Sequence, residues 1–141
     1  RWITFRYWAP MKIDRMRLEL VEFMPSTLEP GVLYVSQKYQ TAAHLCACGC
    51  GEKIRTQLGP LGWKFTNGRP GPSLYPSIGN WQKPCRSHYF IKSGTVDWAQ
   101  TLTEGDVLYG RQVEVRRRDA YFREQHPGWL AQLKRWWNGG R

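Results

Sequence analysis

The sequence predicts an α+β fold, a small antiparallel β-rich body followed by C-terminal helices. Three observations predict it. Between residues 31 and 100, short runs of β-branched and aromatic residues alternate with turns made of glycine, proline and asparagine. Four cysteines, three at every second position of CACGC and the fourth far along the chain, offer a cross-tie for a body with many turns. Beyond residue 101 the interior turn signals cease and apolar residues recur at helical spacing. A chain of 141 residues fits one domain. Residues 1–30 are expected to be an N-terminal segment with the first strand, residues 31–100 the β core, and residues 101–141 a basic, tryptophan-rich helical extension of the same domain.

The elements follow in order. RWITFRYWAP at residues 1–10 lacks the long apolar core of a signal peptide, and Met11 is a candidate start, which makes those ten residues a candidate upstream extension. MRLELVEF puts Met16, Leu18 and Leu20 on one face at the period of a strand with one buried side, and MPSTLEPG breaks it. GVLYVS is a buried strand expected to lead into the glycine-cysteine loop. KIRTQL, GWKFT and PSLYPS are further strands, separated by GPLG and NGRPG, and IGN ends the last of them. CRSHYFI and TVDWA form a hairpin joined by KSG. The remainder, from Thr101, divides into two helices broken by Pro127 and stopped at Asn138 and Gly139. Trp129, Leu130, Leu133, Trp136 and Trp137 make the second amphipathic, and the simplest use of that face is packing back on the sheet.

Glycine and cysteine bury almost nothing, so HLCACGCG is not ordinary core. Cys46, Cys48, Cys50 and Cys85 supply four thiolates, a complete tetrahedral shell for zinc. Gly49 and Gly51 allow the positive φ with which a knuckle turns its sulfurs toward one ion. With all four ligands from protein, the zinc is expected to be structural. Three cysteines with His44 or His88 are an alternative ligand set, and an iron-sulfur cluster is another. Disulfides fit poorly, since partners two residues apart make a strained ring.

Candidates for chemistry lie beside these cysteines. Ser77 sits in LYPSIGNW, His44 two residues before Cys46, and Ser87 and His88 follow Cys85. A serine hydroxyl becomes a nucleophile when a histidine takes its proton, so Ser77 with His44 or His88 is a chemically sensible dyad. Asp97 is a candidate third member, and the region of Gly79 and Asn80 could donate to an oxyanion. Each has a plainer use: Ser77 in a turn, His44 in the core, His88 bonded to a ligand sulfur. Neighbours on a strand face opposite ways, so Ser87 and His88 cannot both face one pocket.

The net charge of +10 suits an anionic partner, whether nucleic acid, an acidic protein or a membrane surface. Trp63, Phe65, Tyr75, Trp81, Tyr89 and Phe90 interleave with Lys64, Lys83, Arg86 and Lys92, a pattern that can stack single-stranded nucleic acid but more often marks a half-buried sheet. Arg116, Arg117 and Arg118 are expected to form a solvated helix face. No run approaches the roughly 18 apolar residues of a membrane-spanning helix. A cytoplasmic protein without a membrane partner is expected.

LYVSQKYQTAAHLCACGCG, LYPSIGNW and PCRSHYFI followed by VDWA, in that order, make residues 31–99 similar to a bacterial family catalogued as a domain of unknown function, number 6527. Members occur in operons beside ubiquitin-like proteins and relatives of ubiquitin-activating and ubiquitin-conjugating enzymes, some linked to phage defence. The resemblance implies a role in processing or deconjugating a ubiquitin-like protein, as a peptidase or isopeptidase. It matches the family's cysteine pattern at Cys46, Cys48, Cys50 and Cys85, and its polar positions at His44, Ser77, Ser87 and His88. The alternative is a non-catalytic, zinc-stabilised module that binds a ubiquitin-like protein, a conjugating enzyme or nucleic acid.

Overall fold

The structure, a computed structural model, describes residues 11–100, 103–126 and 128–139, apart from the side chains of residues 129–131. Among the described residues the elements run β1 Arg17–Leu20, β2 Val32–Ser36, β3 Thr41–Leu45, β4 Lys53–Gln57, β5 Lys64–Asn67, β6 Pro72–Gly79, β7 His88–Lys92, β8 Thr95–Trp98, α1 Glu104–Gln125 and α2 Trp129–Asn138. The strands form two sheets, ordered β1-β2-β3-β4 and β5-β6-β7-β8, so the α+β class expected from the sequence holds. Residues 1–10 lie outside the described residues.

Alternation along the strands builds the core. Leu33 and Val35 of β2, Ala42 of β3 and Ile54 of β4 meet Leu74 and Ile78 of β6 and Tyr89 and Ile91 of β7 in one cluster. The opposite face of the first sheet, Val32, Tyr34 and Ala43, is covered by Leu28. Every residue of β2 is therefore buried, as its unbroken apolar run requires.

Leu28 belongs to residues 21–31, and this crossover explains one departure from the antiparallel pattern. A tight hairpin can only reverse the chain, whereas a long connection can return it in the same sense, and β1 runs parallel to β2. The other pairs of named strands are antiparallel. β1 is an edge strand, so Met16 just before it is 3% exposed while Leu20, expected on the same buried face, is 53% exposed. A second departure is β3. The run GVLYVS does not enter the cysteine loop; the chain turns first, with Gln40 at φ 51, and TAAHL returns as a central strand. Two alanines have little strand propensity of their own, but between β2 and β4 their small side chains fit a layer buried on both faces. The KSG hairpin is as expected, with Ser93 at φ 47 and Gly94 at φ 79 forming a two-residue type I′ turn.

The chain divides between Thr103 and Glu104 into two units. In the second, Glu104 and Asp106 open α1 and Arg123 closes it, complementing the helix dipole, and none of its residues is buried. Arg116, Arg117 and Arg118 are exposed, the solvated face expected of them. The expected break between helices is present around Gly128, at φ 105, while Pro127 is outside the described residues. Leu133, Trp136 and Trp137 of α2 are exposed. The clusters of the β unit are filled by its own strands and loops. No helix among the described residues is long and apolar enough to cross a membrane.

Candidate active site

The site is built on both faces of β7. Inward lies the thiol cluster. Cys46, Cys48 and Cys50 occupy the loop between β3 and β4, Cys85 the loop between β6 and β7, and the four sulfurs lie within 4.8 Å of one another. Cys46 Sγ is 3.3 Å from Cys48 Sγ and 3.9 Å from Cys85 Sγ, and none of the four is in a disulfide. Gly49 and Gly51, at φ 86 and 82, give the loop the left-handed turns expected of it. Four thiolates around zinc at about 2.3 Å lie about 3.8 Å apart, so these residues fit such an ion in number, kind and spacing and can bind a metal. Neither His44 nor His88 belongs to the group.

The thiols' electrostatics fit the same conclusion. Burial, with the neighbouring thiols, pushes Cys48 upward, and burial pushes Cys50 upward. At Cys85 burial also acts upward, but hydrogen bonds from the Ser87 hydroxyl and main chain outweigh it and bring the thiol down to about 7. Crowded thiols resist ionising together, and a bound cation removes that penalty.

Ser87, just before β7, and Tyr89 within it grip this loop. The Ser87 hydroxyl contacts Cys46 Sγ at 3.1 Å and Cys85 Sγ at 3.4 Å. Asn80 Nδ2 donates to Ser87 Oγ at 2.8 Å and to Cys46 Sγ at 3.3 Å. Two positions after Ser87, the Tyr89 hydroxyl accepts the Ala47 N–H at 3.3 Å and bonds His44 Nε2 at 2.8 Å. His44 is fully buried, and burial lowers it to about 4, leaving a neutral imidazole at pH 7. Its one hydrogen-bond partner is Tyr89, and Nδ1 has none among the described residues.

His88 points the other way, as alternation demands. Its Nε2 is 2.9 Å from Ser77 Oγ and its Nδ1 is 3.2 Å from the Gln100 carbonyl. A carbonyl only accepts, so Nδ1 carries the proton and Nε2 presents a lone pair to the serine hydroxyl. Local structure explains the meeting. His88 is paired with Gly79, whose missing side chain leaves room above the sheet, and Ser77 lies two residues back along β6. The β6–β7 register shifts between Leu74 and Ile78, so Ser77 sits on an irregular stretch that is half-buried rather than in a flat ladder. After β8 the Ala99 N–H donates to the His88 carbonyl at 2.9 Å, which brings Gln100 beneath the imidazole.

Of the sequence-derived candidates, the structure thus brings Ser77 to His88 and places His44 with Tyr89. Asp97 pairs with Lys92 at 3.0 Å, and the group beside His88 Nδ1 is the Gln100 main-chain carbonyl. That contact has no side-chain signature a sequence could show. Asn80, expected as an oxyanion donor, turns its amide inward to the thiols. The aromatic and basic row does not form one stacking platform, because Tyr89 is fully buried, Trp63 and Phe65 pack on the core, and Lys83 and Lys92 pair with Glu52 and Asp97.

No curated protein and no solved structure matches the chain. Residues 20–99, from the end of β1 through the hairpin that carries His88, match the model of a family described as bacterial ubiquitination-like system serine protease (BubE). The match spans the serine, its histidine partner and all four cysteines, and the chain belongs to the BubE family.

Proposed function

We propose that the protein hydrolyses a peptide or isopeptide bond in a bacterial ubiquitin-like conjugation pathway, with Ser77 as nucleophile and His88 as general base. The observation that carries the reading is the bond of 2.9 Å between Ser77 Oγ and His88 Nε2, with the imidazole held in the accepting tautomer by Gln100. Ser77 Oγ attacks the scissile carbonyl carbon as Nε2 takes its proton. The tetrahedral adduct collapses to an acyl-serine, and the imidazolium returns the proton to the leaving amine. Water then attacks the ester, giving a proton to Nε2, and the carboxylic acid leaves as Ser77 regains its hydrogen. A main-chain carbonyl keeps the tautomer but brings less negative charge to the imidazolium than a carboxylate does, so a modest turnover is expected.

Cys46, Cys48, Cys50 and Cys85 would hold zinc, which supplies a fixed cross-link between the two loops and, with four protein ligands, no open position for a substrate. Four free thiols suit a reducing compartment, and the proposed location is the cytoplasm. The likeness to the family numbered 6527 is part of the same reading, with a ubiquitin-like protein as substrate and its activating and conjugating enzymes as partners. The test is cleavage of a ubiquitin-like protein extended at its C-terminus. Wild type is expected to release the extension and Ser77→Ala to lose at least about 10³-fold in rate. Undiminished cleavage by Ser77→Ala would overturn the mechanism, and binding with no cleavage by wild type would favour the recruiting module.

A further inference from the structure

β6 is longer than its neighbour on one side. β5 pairs with it only from Pro72 to Tyr75, with Lys64 opposite Tyr75, while β6 continues to Gly79. The chain before Lys64 leaves the edge altogether. Trp63 gives its N–H to the Gln57 carbonyl at 2.8 Å and its carbonyl to the Gly59 N–H at 3.1 Å. This detour depends on Gly62, where a Cβ would stand 1.9 Å from the Gln57 oxygen. Only the Trp63 indole returns, its Nε1 donating to the Ser77 carbonyl at 3.3 Å.

The phase of the β6–β7 ladder says which way the unpaired backbone points. Asn80 donates its N–H to the Ser87 carbonyl at 2.9 Å, so the pair Asn80–Ser87 is hydrogen-bonded and the next pair, Gly79–His88, is not. The Ala99 bond to the His88 carbonyl agrees, since it turns the His88 main chain toward β8. The N–H and C=O of Gly79 therefore face the side that β5 has left, as the Ser77 carbonyl does. Gly79 and Ser77 are half-buried, and Tyr75, at the point where β5 stops, is 71% exposed.

We propose that the substrate binds as an extended strand along this open edge of β6, its main chain paired with Gly79, which brings the scissile carbonyl to Ser77. The inference rests on the hydrolase reading and adds the form of the substrate: a flexible peptide segment of several residues, recognised through its backbone, with Trp63 and Tyr75 beside it. An edge of this kind takes a strand because each added main-chain bond satisfies a donor or acceptor already aligned.

The experiment uses the full-length protein and alanine diphenyl phosphonates, in which Ser77 Oγ bonds to phosphorus, phenoxide leaves, and the proton passes through His88. Labelling of Ser77, followed by intact mass, is compared for N-acetyl-alanine phosphonate, its tripeptidyl extension, and extensions N-methylated at one internal amide at a time. The expected result is labelling about tenfold faster with the extended probe, the gain vanishing on N-methylation at one amide, which is the effect of losing one or two hydrogen bonds. Equal rates for all probes, with Ser77 modified, would overturn the strand while leaving the hydrolase intact. Absence of any adduct on Ser77 would overturn both.

Discussion

At residue scale two histidines that stood level in the sequence have different surroundings in the structure. His88 bonds Ser77 and the Gln100 carbonyl, whereas His44 is a buried, neutral partner of Tyr89. Replacing them should therefore do different things. His88→Ala is expected to lower kcat by about 10³-fold with little change in thermal midpoint, because its side chain is half-buried and fills no core position. His44→Ala should cost about 2–4 kcal/mol in denaturant unfolding, from the cavity and from a Tyr89 hydroxyl left without its partner. Asp97→Asn should leave kcat/KM within about twofold, since its contact is an exposed ion pair with Lys92. A large loss there would show that the carboxylate reaches His88 during the reaction. From the residue list alone, Ser77 and the histidines were legible as candidates, but the choice between His44 and His88 was not. It depends on which face of which strand each occupies, and His44 lies on a strand, β3, whose alanines hid it.

At element scale, β7 joins the thiol loop to the proposed dyad. Ser87 and Tyr89 reach inward to the cysteines and their loop, and His88 between them reaches outward to Ser77. Asn80 completes the tie one residue after Gly79. Ser87→Ala and Asn80→Ala are expected to slow turnover about tenfold through kcat rather than KM, with Ser87→Thr restoring much of it, because the hydroxyl positions the strand and touches no substrate. Steady-state kinetics on the three variants checks this; a change confined to KM, or none, would contradict it. The strand alternation that produces this arrangement was visible in CRSHYFI, which already ruled out a shared pocket for Ser87 and His88. The parallel β1–β2 pair was not visible, because its cause is a crossover whose single buried anchor, Leu28, stands among turn residues.

At the scale of the whole molecule, two sheets share a core and one cluster of thiols crosses between their loops. Loops between strands are expensive to order, and a metal that binds only the folded arrangement contributes its binding energy to folding. One zinc per chain is expected by native mass, with loss of the ion in chelator lowering the thermal midpoint. A protein of unchanged midpoint after chelation would contradict a structural metal. The cysteine spacing made this site the most legible feature of the sequence, since four ligands and two glycines admit few other uses. The helices were legible as helices, because the turn signals cease and apolar residues recur at helical spacing. The central claim is that His88 activates Ser77, and covalent labelling by a small fluorophosphonate tests it without knowledge of the substrate. Wild type should gain one adduct, mapped to Ser77, with His88→Ala labelled at least about a hundredfold more slowly and His44→Gln labelled normally where it is folded. An adduct elsewhere, or equal labelling of wild type and His88→Ala, would contradict the account.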